Sequence, residues 1–225
     1  NIDGYVGSLL AKLEEHGLGK NTLVIFSSDN GPILFDGYYD GSVEDLNGHK
    51  PAGGLRGWKY LVFEGACRVP FIVRWPDQIK PRVSDQMISL VDCYATLAKI
   101  AGQEFPASAA PDSLDLSSML LGKTDKNLRD HTVLHGIGGL AIRKGDWKYI
   151  PASAGAGGMG SGANAEDERF AAATIPNPML FNLAVDPNEK ENIIEKNPEK
   201  AAELAEELET IKNSPTNLAK PQPKS

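Results

Sequence analysis

The alternation of apolar and polar residues along the chain predicts three helices. Apolar residues recur at the spacing of one face of an α-helix over residues 2–13, 87–101 and 201–211. Gly17 and Gly102 follow the first two stretches and predict where those helices end, and Ser84 is the predicted cap of the second. Asn197 and Pro198 predict the start of the third helix.

Short apolar runs between these helices predict strands of two kinds. Residues 23–28 and 71–75 are compact apolar runs, and the order helix, short loop, strand is typical of an α/β layer structure with a largely parallel sheet. Further strands are predicted at residues 132–135, 140–143, 147–150 and 180–183. The turn at 144–146 joins two of these strands, and it indicates a hairpin with antiparallel pairing.

We therefore predict an α/β domain over residues 1–128, followed by a small antiparallel subdomain with a terminal helix over 129–213. Residues 214–225, rich in proline and lysine, are predicted to be a disordered tail. Residues 31–57 are polar and without a usable period, and such a long loop is usually functional. The Ala-, Gly- and Ser-rich residues 151–168 predict a mobile surface loop.

Composition excludes some classes of function and leaves the redox state open. The chain has 225 residues and a net charge of −7, which argues against a nucleic-acid partner. No apolar run approaches the roughly 18 to 20 residues of a membrane span. Cys67 and Cys93 could pair, or they could be two buried thiols. The chain opens without Met or a leader pattern, so we expect it to be part of a longer protein.

Asp29 and Asn30 are the first candidate site residues. They follow a predicted buried strand, and ligands in open α/β sheets collect at the carboxyl ends of strands. A carboxylate and an amide oxygen are hard donors that suit calcium or magnesium. Asp, Asn and Gly also favour turns, so a plain turn is the competing interpretation.

Lys59 is the second candidate, because it follows a glycine-rich stretch that permits close approach of the backbone to a ligand. Its ammonium is a compact positive charge suited to a tetrahedral anion, although a solvated lysine is the simpler interpretation. Glu64 and Arg68 are spaced four residues apart, which is the spacing of a structural ion pair on a helix.

Five stretches in a fixed order resemble the sulfatase family, in its arylsulfatase branch. The first two are TLVIFSSDNGP at 22–32 and LRGWKYLVFEGACRVPFIVRWP at 55–76. The others are SLVDCYATLAKIAG at 89–102, LAIRKGDWKYI at 140–150 and LFNLAVDPNEKENI at 180–193. The resemblance implies the C-terminal part of an alkaline-phosphatase-like fold, in which helices sandwich the sheet.

The resemblance also implies roles for individual residues. Asp29 and Asn30 match an acid–amide pair that completes a calcium site, with Mg²⁺ as the alternative ion, and Lys59 matches a catalytic lysine that contacts a sulfate oxygen. His135 lies in a region that faces the substrate in relatives, but its match is loose and a structural histidine, buried or at the surface, is the favoured interpretation. The usual Gly-Gly after the glutamate is Gly65-Ala66 here, which changes packing near Lys59.

The family's nucleophile has no match in the chain. Sulfatases convert a cysteine or serine in a Cys/Ser-x-Pro/Ala-x-Arg stretch to formylglycine, and neither Cys67 nor Cys93 begins such a stretch. The first acidic metal ligands of the family are also absent. We therefore expect the formylglycine in a missing N-terminal part, and we expect this chain alone to be inactive.

The resemblance implies sulfate-ester hydrolysis by the intact protein, on a small sulfate ester or a sulfated glycan. A phosphoryl-transferring relative of the same fold, such as a phosphodiesterase or phosphomutase, is the alternative, and a non-catalytic fragment is a second one. Asn30 favours the sulfatase, because an amide oxygen suits calcium whereas the imidazole found in phosphoryl-transfer relatives suits zinc or manganese. The family is mostly secreted, periplasmic or lysosomal. Neither the particular ester nor the oligomeric state can be predicted from the sequence.

Overall fold

The computed structural model describes residues 1–34, 41–153, 174–216 and 218. The helices are α1 (Ile2–Glu15), α2 (Glu64–Cys67), α3 (Cys93–Ile100), α4 (Ser117–Leu120) and α5 (Pro198–Lys212). The strands are β1 (Val24–Ser27), β2 (Phe71–Arg74), β3 (His131–Gly136), β4 (Gly139–Lys144), β5 (Trp147–Ile150) and β6 (Met179–Asn182). Short 3-10 turns lie at Glu44–Leu46, Leu90–Asp92, Ala107–Ala109 and Ile194–Lys196.

By the density of internal contacts the chain divides into two units. The first contains residues 1–28 and 70–128, and the second contains residues 29–69 and 129–225. The predicted domain division at residues 128 and 129 recurs as a boundary between these units, whereas residues 29–69 are grouped with the C-terminal part of the chain. The division into folding domains itself stays a prediction. The predicted loop at 151–168 and the predicted tail fall largely outside the described residues.

In the first unit, β1 and β2 pair antiparallel, with Val24 opposite Arg74 and Ser27 opposite Phe71. The expectation of parallel pairing is wrong for these two strands, because an apolar run indicates burial and not the direction of its partner. Arg74 connects the pair to the end of α1, since its guanidinium donates to the Gly19 carbonyl at 2.7 Å and contacts Glu14 at 2.9 Å.

The helix predicted over residues 87–101 begins later, at Cys93. Residues 86 and 87 are instead held by the loop that follows α4: the Gln86 amide donates to the Lys126 carbonyl at 2.9 Å, and the Met87 N–H donates to Asn127 Oδ1 at 3.0 Å. The expectation that Ser84 caps this helix is therefore wrong. Ser89 begins a capping box with Asp92 instead, and α3 follows directly.

In the second unit, β3, β4, β5 and β6 form an antiparallel sheet in chain order, as the hairpin at 144–146 predicts. Neighbouring residues of β4 point to opposite faces of the sheet. Ile142 packs with Leu204 and Leu208 of α5, whereas Ala141 packs with Phe63 in a cluster that draws its other members in part from the segment 61–66. The sheet is thus covered by a helix on one face and by residues 61–66 on the other.

Among the described residues, no helix is both long enough and apolar enough to cross a membrane.

Candidate functional site

Asp29 and Asn30 lie in a bend immediately after β1, with Asp29 exposed and Asn30 partly buried. The Asn30 N–H donates to Asp29 Oδ1 at 3.0 Å, and the Asn30 amide donates to the Gly31 carbonyl at 2.8 Å. These local bonds fix the bend and satisfy the turn interpretation. Both residues belong to the second unit, and the Asp29 side chain is exposed there.

Two backbone hydrogen bonds join this bend to the segment that carries Lys59. The Gly31 N–H donates to the Ala66 carbonyl at 2.7 Å, and the Lys59 N–H donates to the Pro32 carbonyl at 2.9 Å. The approach is so close that a Cβ on Gly31 would lie 1.8 Å from the Gly65 oxygen. Glycine is therefore required at position 31. Residues 29–32 and 57–66 form one connected backbone unit.

Lys59 lies between two residues with left-handed backbone, Gly57 at φ +87° and Tyr60 at φ +82°. The Tyr60 conformation is costly for an aromatic residue and persists only where its surroundings impose it. Here the Tyr60 carbonyl accepts the Ile137 N–H at 2.7 Å, which holds the backbone in place. The partly buried Lys59 places its ammonium 5.3 Å from the Tyr60 ring centroid, within range of a cation–π attraction.

His135 lies on β3, exposed, opposite Leu140 of β4. The residues that follow it contact the Lys59 segment directly, because a Cβ on Gly136 would lie 2.7 Å from the Tyr60 carbonyl oxygen. His135 is therefore one residue from that contact in the chain. Its role toward a substrate stays a prediction.

Known proteins similar to this chain are sulfatases. A family model described as Sulfatase matches residues 1–103. The chain is 41% identical over 213 residues to an N-acetylgalactosamine-6-O-sulfatase of Bacteroides thetaiotaomicron, covering 94% of this chain and 40% of the relative. It is 31% identical to arylsulfatase A of Bos taurus, covering 93% of this chain and 41% of the relative. This chain belongs to the sulfatase family.

The sulfatase fold is borne out by solved structures as well. A structure from Bacteroides thetaiotaomicron, described with the metabolism of multiple glycosaminoglycans, superposes with a TM-score of 0.80 at 40% identity. The superposition covers 95% of this chain and 43% of the chain in that structure. The α/β, alkaline-phosphatase-like fold predicted from the motifs is confirmed. The chain spans about two fifths of the length of the curated sulfatases it matches.

The donor set of this sulfatase chain fits part of a calcium site. Asp29 and Asn30 offer a carboxylate and an amide oxygen, whereas calcium takes about six to eight oxygen ligands. In the part of the chain that the structure describes, no three His, Cys, Asp or Glu side chains cluster in a way that could hold a metal ion. Further ligands would have to come from elsewhere in the protein.

Sequence reasoning missed a cluster of buried charge beside the Lys59 segment. Lys148 on β5, with none of its side chain exposed, lies 3.1 Å from Glu64 Oε1 and 2.9 Å from Glu189 Oε1. We call Glu64, Lys148 and Glu189 the Glu64 cluster. The predicted ion pair between Glu64 and Arg68 is corrected, because the Glu64 carboxylate turns into the protein toward Lys148, and Arg68 bonds to Glu64 through its backbone N–H at 2.8 Å.

Glu189 connects this cluster to the start of α2. Its second carboxylate oxygen accepts the Glu64 N–H at 2.6 Å, and its backbone is held at φ +54°. Burial raises the pKa of the Glu189 carboxyl above its ordinary value, while Lys148 opposes that shift. A left-handed backbone and a fully buried carboxylate both cost free energy of folding, which indicates that Glu189 has a specific role at this position.

Cys67, at the end of α2, is a free thiol whose S–H donates to the Phe63 carbonyl at 3.3 Å. Burial raises the pKa of this thiol to about 11, with smaller effects from the charges of the Glu64 cluster. A thiol that is protonated at neutral pH is a poor nucleophile. This agrees with the absence of the sulfatase nucleophile motif at Cys67.

A pattern in the sequence could have revealed Lys148. In the run Trp147–Ile150, side chains alternate between faces, so Lys148 shares a face with the apolar Ile150. A lysine on the buried face of a strand requires an acidic partner. The identity of that partner depends on residues more than 40 positions away on both sides, which no local pattern indicates.

Proposed function

We propose that the protein carrying this chain hydrolyses sulfate esters, and that residues 29–32 and 57–66 supply one wall of its active site. The observation that supports this most directly is the pair of hydrogen bonds from Gly31 to Ala66 and from Lys59 to Pro32. They couple the acid–amide pair to the candidate lysine within one backbone unit. In a chain related to sulfatases, this unit has the donors that a divalent cation and a sulfate group require.

Each residue of this wall has a distinct task. Asp29 and Asn30 would supply oxygen ligands to a calcium ion, with magnesium as the alternative, and a bound ion would supply positive charge to the site. Lys59 donates hydrogen bonds to a sulfate oxygen and stabilises the negative charge that develops as the ester bond breaks. His135 is the candidate for contact with the remainder of the substrate.

The nucleophile of this proposal lies outside the 225 residues. A formylglycine there would supply the nucleophile, and the chain alone is expected to be inactive. As for the substrate, identity is higher to the N-acetylgalactosamine-6-O-sulfatase than to arylsulfatase A, 41% against 31%. This supports a sulfated sugar as the first substrate to test, with an aryl sulfate as the comparison.

The decisive test is Lys59→Ala in the whole protein. Loss of one group that stabilises developing charge typically lowers kcat by about 100- to 1,000-fold. Lys50→Ala is the matched control, because Lys50 is an exposed lysine of the same unit, and its rate should not change. Normal turnover by Lys59→Ala would remove Lys59 from the site. Faster hydrolysis of an aryl phosphate than of either sulfate ester would favour the phosphoryl-transfer alternative.

The metal is tested separately by titration calorimetry on metal-free whole protein. We expect calcium binding that weakens in Asp29→Ala and Asn30→Ala, with the larger loss for Asp29→Ala because it removes a charged ligand. Asp45→Ala, at an exposed carboxylate of the same unit, is the control and should bind calcium as the original protein does. Equal calcium binding by all four proteins would contradict the assignment.

A further inference from the structure

We propose that the Glu64 cluster is a positioning device for Lys59, and that Glu189 is its positioning residue. The proposal rests on the function proposed above. Glu189 and Lys148 lie inside the protein with none of their side chains exposed, so they act through the backbone that carries Lys59 and touch no substrate.

The first step of the argument is that the cluster fixes the start of α2. Lys148 binds the Glu64 carboxylate, and Glu189 binds the backbone N–H of the same residue at 2.6 Å. Arg143 of β4 also contacts the Glu64 carboxylate, at 3.3 Å. Glu64 is thus held at its side chain and at its backbone by groups from β4, β5 and the turn after β6. Charged hydrogen bonds of this kind are short and directional, so they define position as well as energy.

The second step is that the segment carrying Lys59 closes onto this fixed point. The Gly65 N–H donates to the Arg56 carbonyl at 2.7 Å, and a Cβ on Gly65 would lie 2.4 Å from the Gly57 oxygen. The Arg56 guanidinium in turn donates to the Glu189 carbonyl at 3.1 Å. Both ends of the loop that contains Lys59 are therefore attached to Glu189.

The third step concerns why charge is used here. A buried ion pair is weak support for stability, because well-packed apolar residues of similar volume are often as stable. What the charged groups add is a defined distance, and Glu189 keeps its place despite a left-handed backbone at φ +54°. A displacement of about 1 Å at a reacting group can lower a rate by about 100-fold. A contact that fixes the position of Lys59 would therefore preserve the rate.

The experiment separates position from charge by two substitutions of Glu189 in the whole protein. Glu189→Gln keeps one acceptor oxygen at the same reach and replaces the other by a donor NH2, so it can still accept the Glu64 N–H but no longer binds Lys148 as well, whereas Glu189→Asp keeps the charge and withdraws the carboxylate by one methylene. If the bond to the Glu64 N–H is what sets the position, Glu189→Asp lowers kcat by about tenfold or more, and Glu189→Gln stays within about threefold of the original. The reverse order would overturn the proposal, because it would indicate an effect of charge alone.

A double-mutant cycle tests whether Glu189 acts through Lys59. In a Lys59→Ala background, Glu189→Asp should change kcat little, because the group that it positions is gone. Equal loss in both backgrounds would mean a general structural role, and it would overturn the inference while leaving the proposed function intact. Unchanged turnover by Lys59→Ala alone would instead remove Lys59 from the proposed active site, and the inference with it.

Glu207→Asp is the matched control for folding. Glu207 is also a buried carboxylate of the second unit, and it binds Lys144 at 2.6 Å through a contact between β4 and α5. Shortening it should lower the melting temperature with kcat unchanged. A kcat loss in Glu207→Asp as large as in Glu189→Asp would show that any buried carboxylate matters, and it would overturn the specific assignment. Should Glu189→Asp fail to fold, Arg56→Gln is measured instead, because it removes the guanidinium bond to the Glu189 carbonyl. Faster hydrogen exchange at Lys59 in Arg56→Gln than in Glu207→Gln is the expected result, and equal exchange would contradict the proposal.

Discussion

The second unit contains two clusters of buried charge that differ in their access to water. In the Glu64 cluster, all three side chains are at most 1% exposed, and Glu64 also contacts Arg143, whose side chain is 26% exposed, at 3.3 Å. In the other, Glu207 is 2% exposed, but the side chain of its partner Lys144 is 36% exposed. The buried His131 also lies near Glu207, with its Nδ1 3.6 Å from Glu207 Oε1. We call Glu207, Lys144 and His131 the Glu207 cluster.

This difference in exposure determines how each cluster responds to the loss of one charged partner. A charge without a partner inside protein cannot recover its lost hydration, whereas a partly exposed lysine that loses its acid turns to water. The Glu64 cluster should therefore respond sharply to the loss of any one member. The Glu207 cluster should respond mildly, although both look alike as short contacts between opposite charges.

The largest effect is expected for Lys148→Met, which leaves Glu64 and Glu189 without their central cation. Breaking a buried pair by removing one partner costs about 3–5 kcal/mol in the free energy of unfolding. Chemical denaturation at constant pH measures this loss. A loss below about 1 kcal/mol, the range of exposed pairs, would contradict the distinction between the clusters.

The pH dependence of this loss has a definite sign. Burial already raises the pKa of Glu189, so the folded state holds that proton more tightly than the unfolded state does. A group of this kind favours folding at low pH, and its contribution declines as the pH rises above the ordinary carboxyl value. Without Lys148 the carboxyl pKa rises further, so Lys148→Met should be more damaging at pH 8 than at pH 5.

A smaller effect is expected for Glu207→Gln, about 1.5–3 kcal/mol, the range for a hydrogen bond to a charged group. The bond to Glu207 raises the pKa of the Lys144 ammonium above its ordinary value of 10.5. Stability from a raised lysine pKa is present below that ordinary value and is lost as the pH rises through the folded value. The stability difference between Glu207→Gln and the original should therefore shrink above pH 10.5. A loss larger than that of Lys148→Met would reverse the ranking.

The helices and strands could be predicted from the sequence more readily than the residues that pack against them. Helical spacing predicts α1 and α5 equally well, yet Leu204 of α5 is fully buried while Tyr5 of α1 is 75% exposed. The spacing of apolar residues reports which face a helix would bury, and it carries no information on what covers that face. For the same reason the run at β1 predicted a strand but not its antiparallel partner.

The same limit applies to the candidate site, where residue types could be predicted from the sequence but the contacts between them could not. Asp29, Asn30 and Lys59 could be selected from the sequence because their residue types suit a cation and an anion, and their roles stay predictions. What joins them could not be selected, because the Gly31 and Lys59 bonds are made by backbone groups that every residue possesses. Glu189 was missed because its partners, Glu64 and Lys148, are distant in the chain.

The smallest change in the free energy of unfolding is expected for Arg143→Gln, because the Arg143 side chain is 26% exposed where it contacts Glu64 at 3.3 Å. Its clearer effect is on the reactivity of Cys67, which lies beside the Glu64 cluster. Burial raises the pKa of Cys67 to about 11, and nearby Arg143 acts in the opposite direction. Compared with a free cysteine of pKa about 8.5, the thiolate at pH 8 should be roughly a few hundredfold scarcer, so alkylation by iodoacetamide should be slow and should accelerate steadily toward pH 11. Arg143→Gln should slow the reaction further at a given pH, because it removes a cation that favours the thiolate. Glu207→Gln should leave the rate unchanged, and alkylation at pH 8 as fast as that of an unfolded control would show that the Glu64 cluster is open to water.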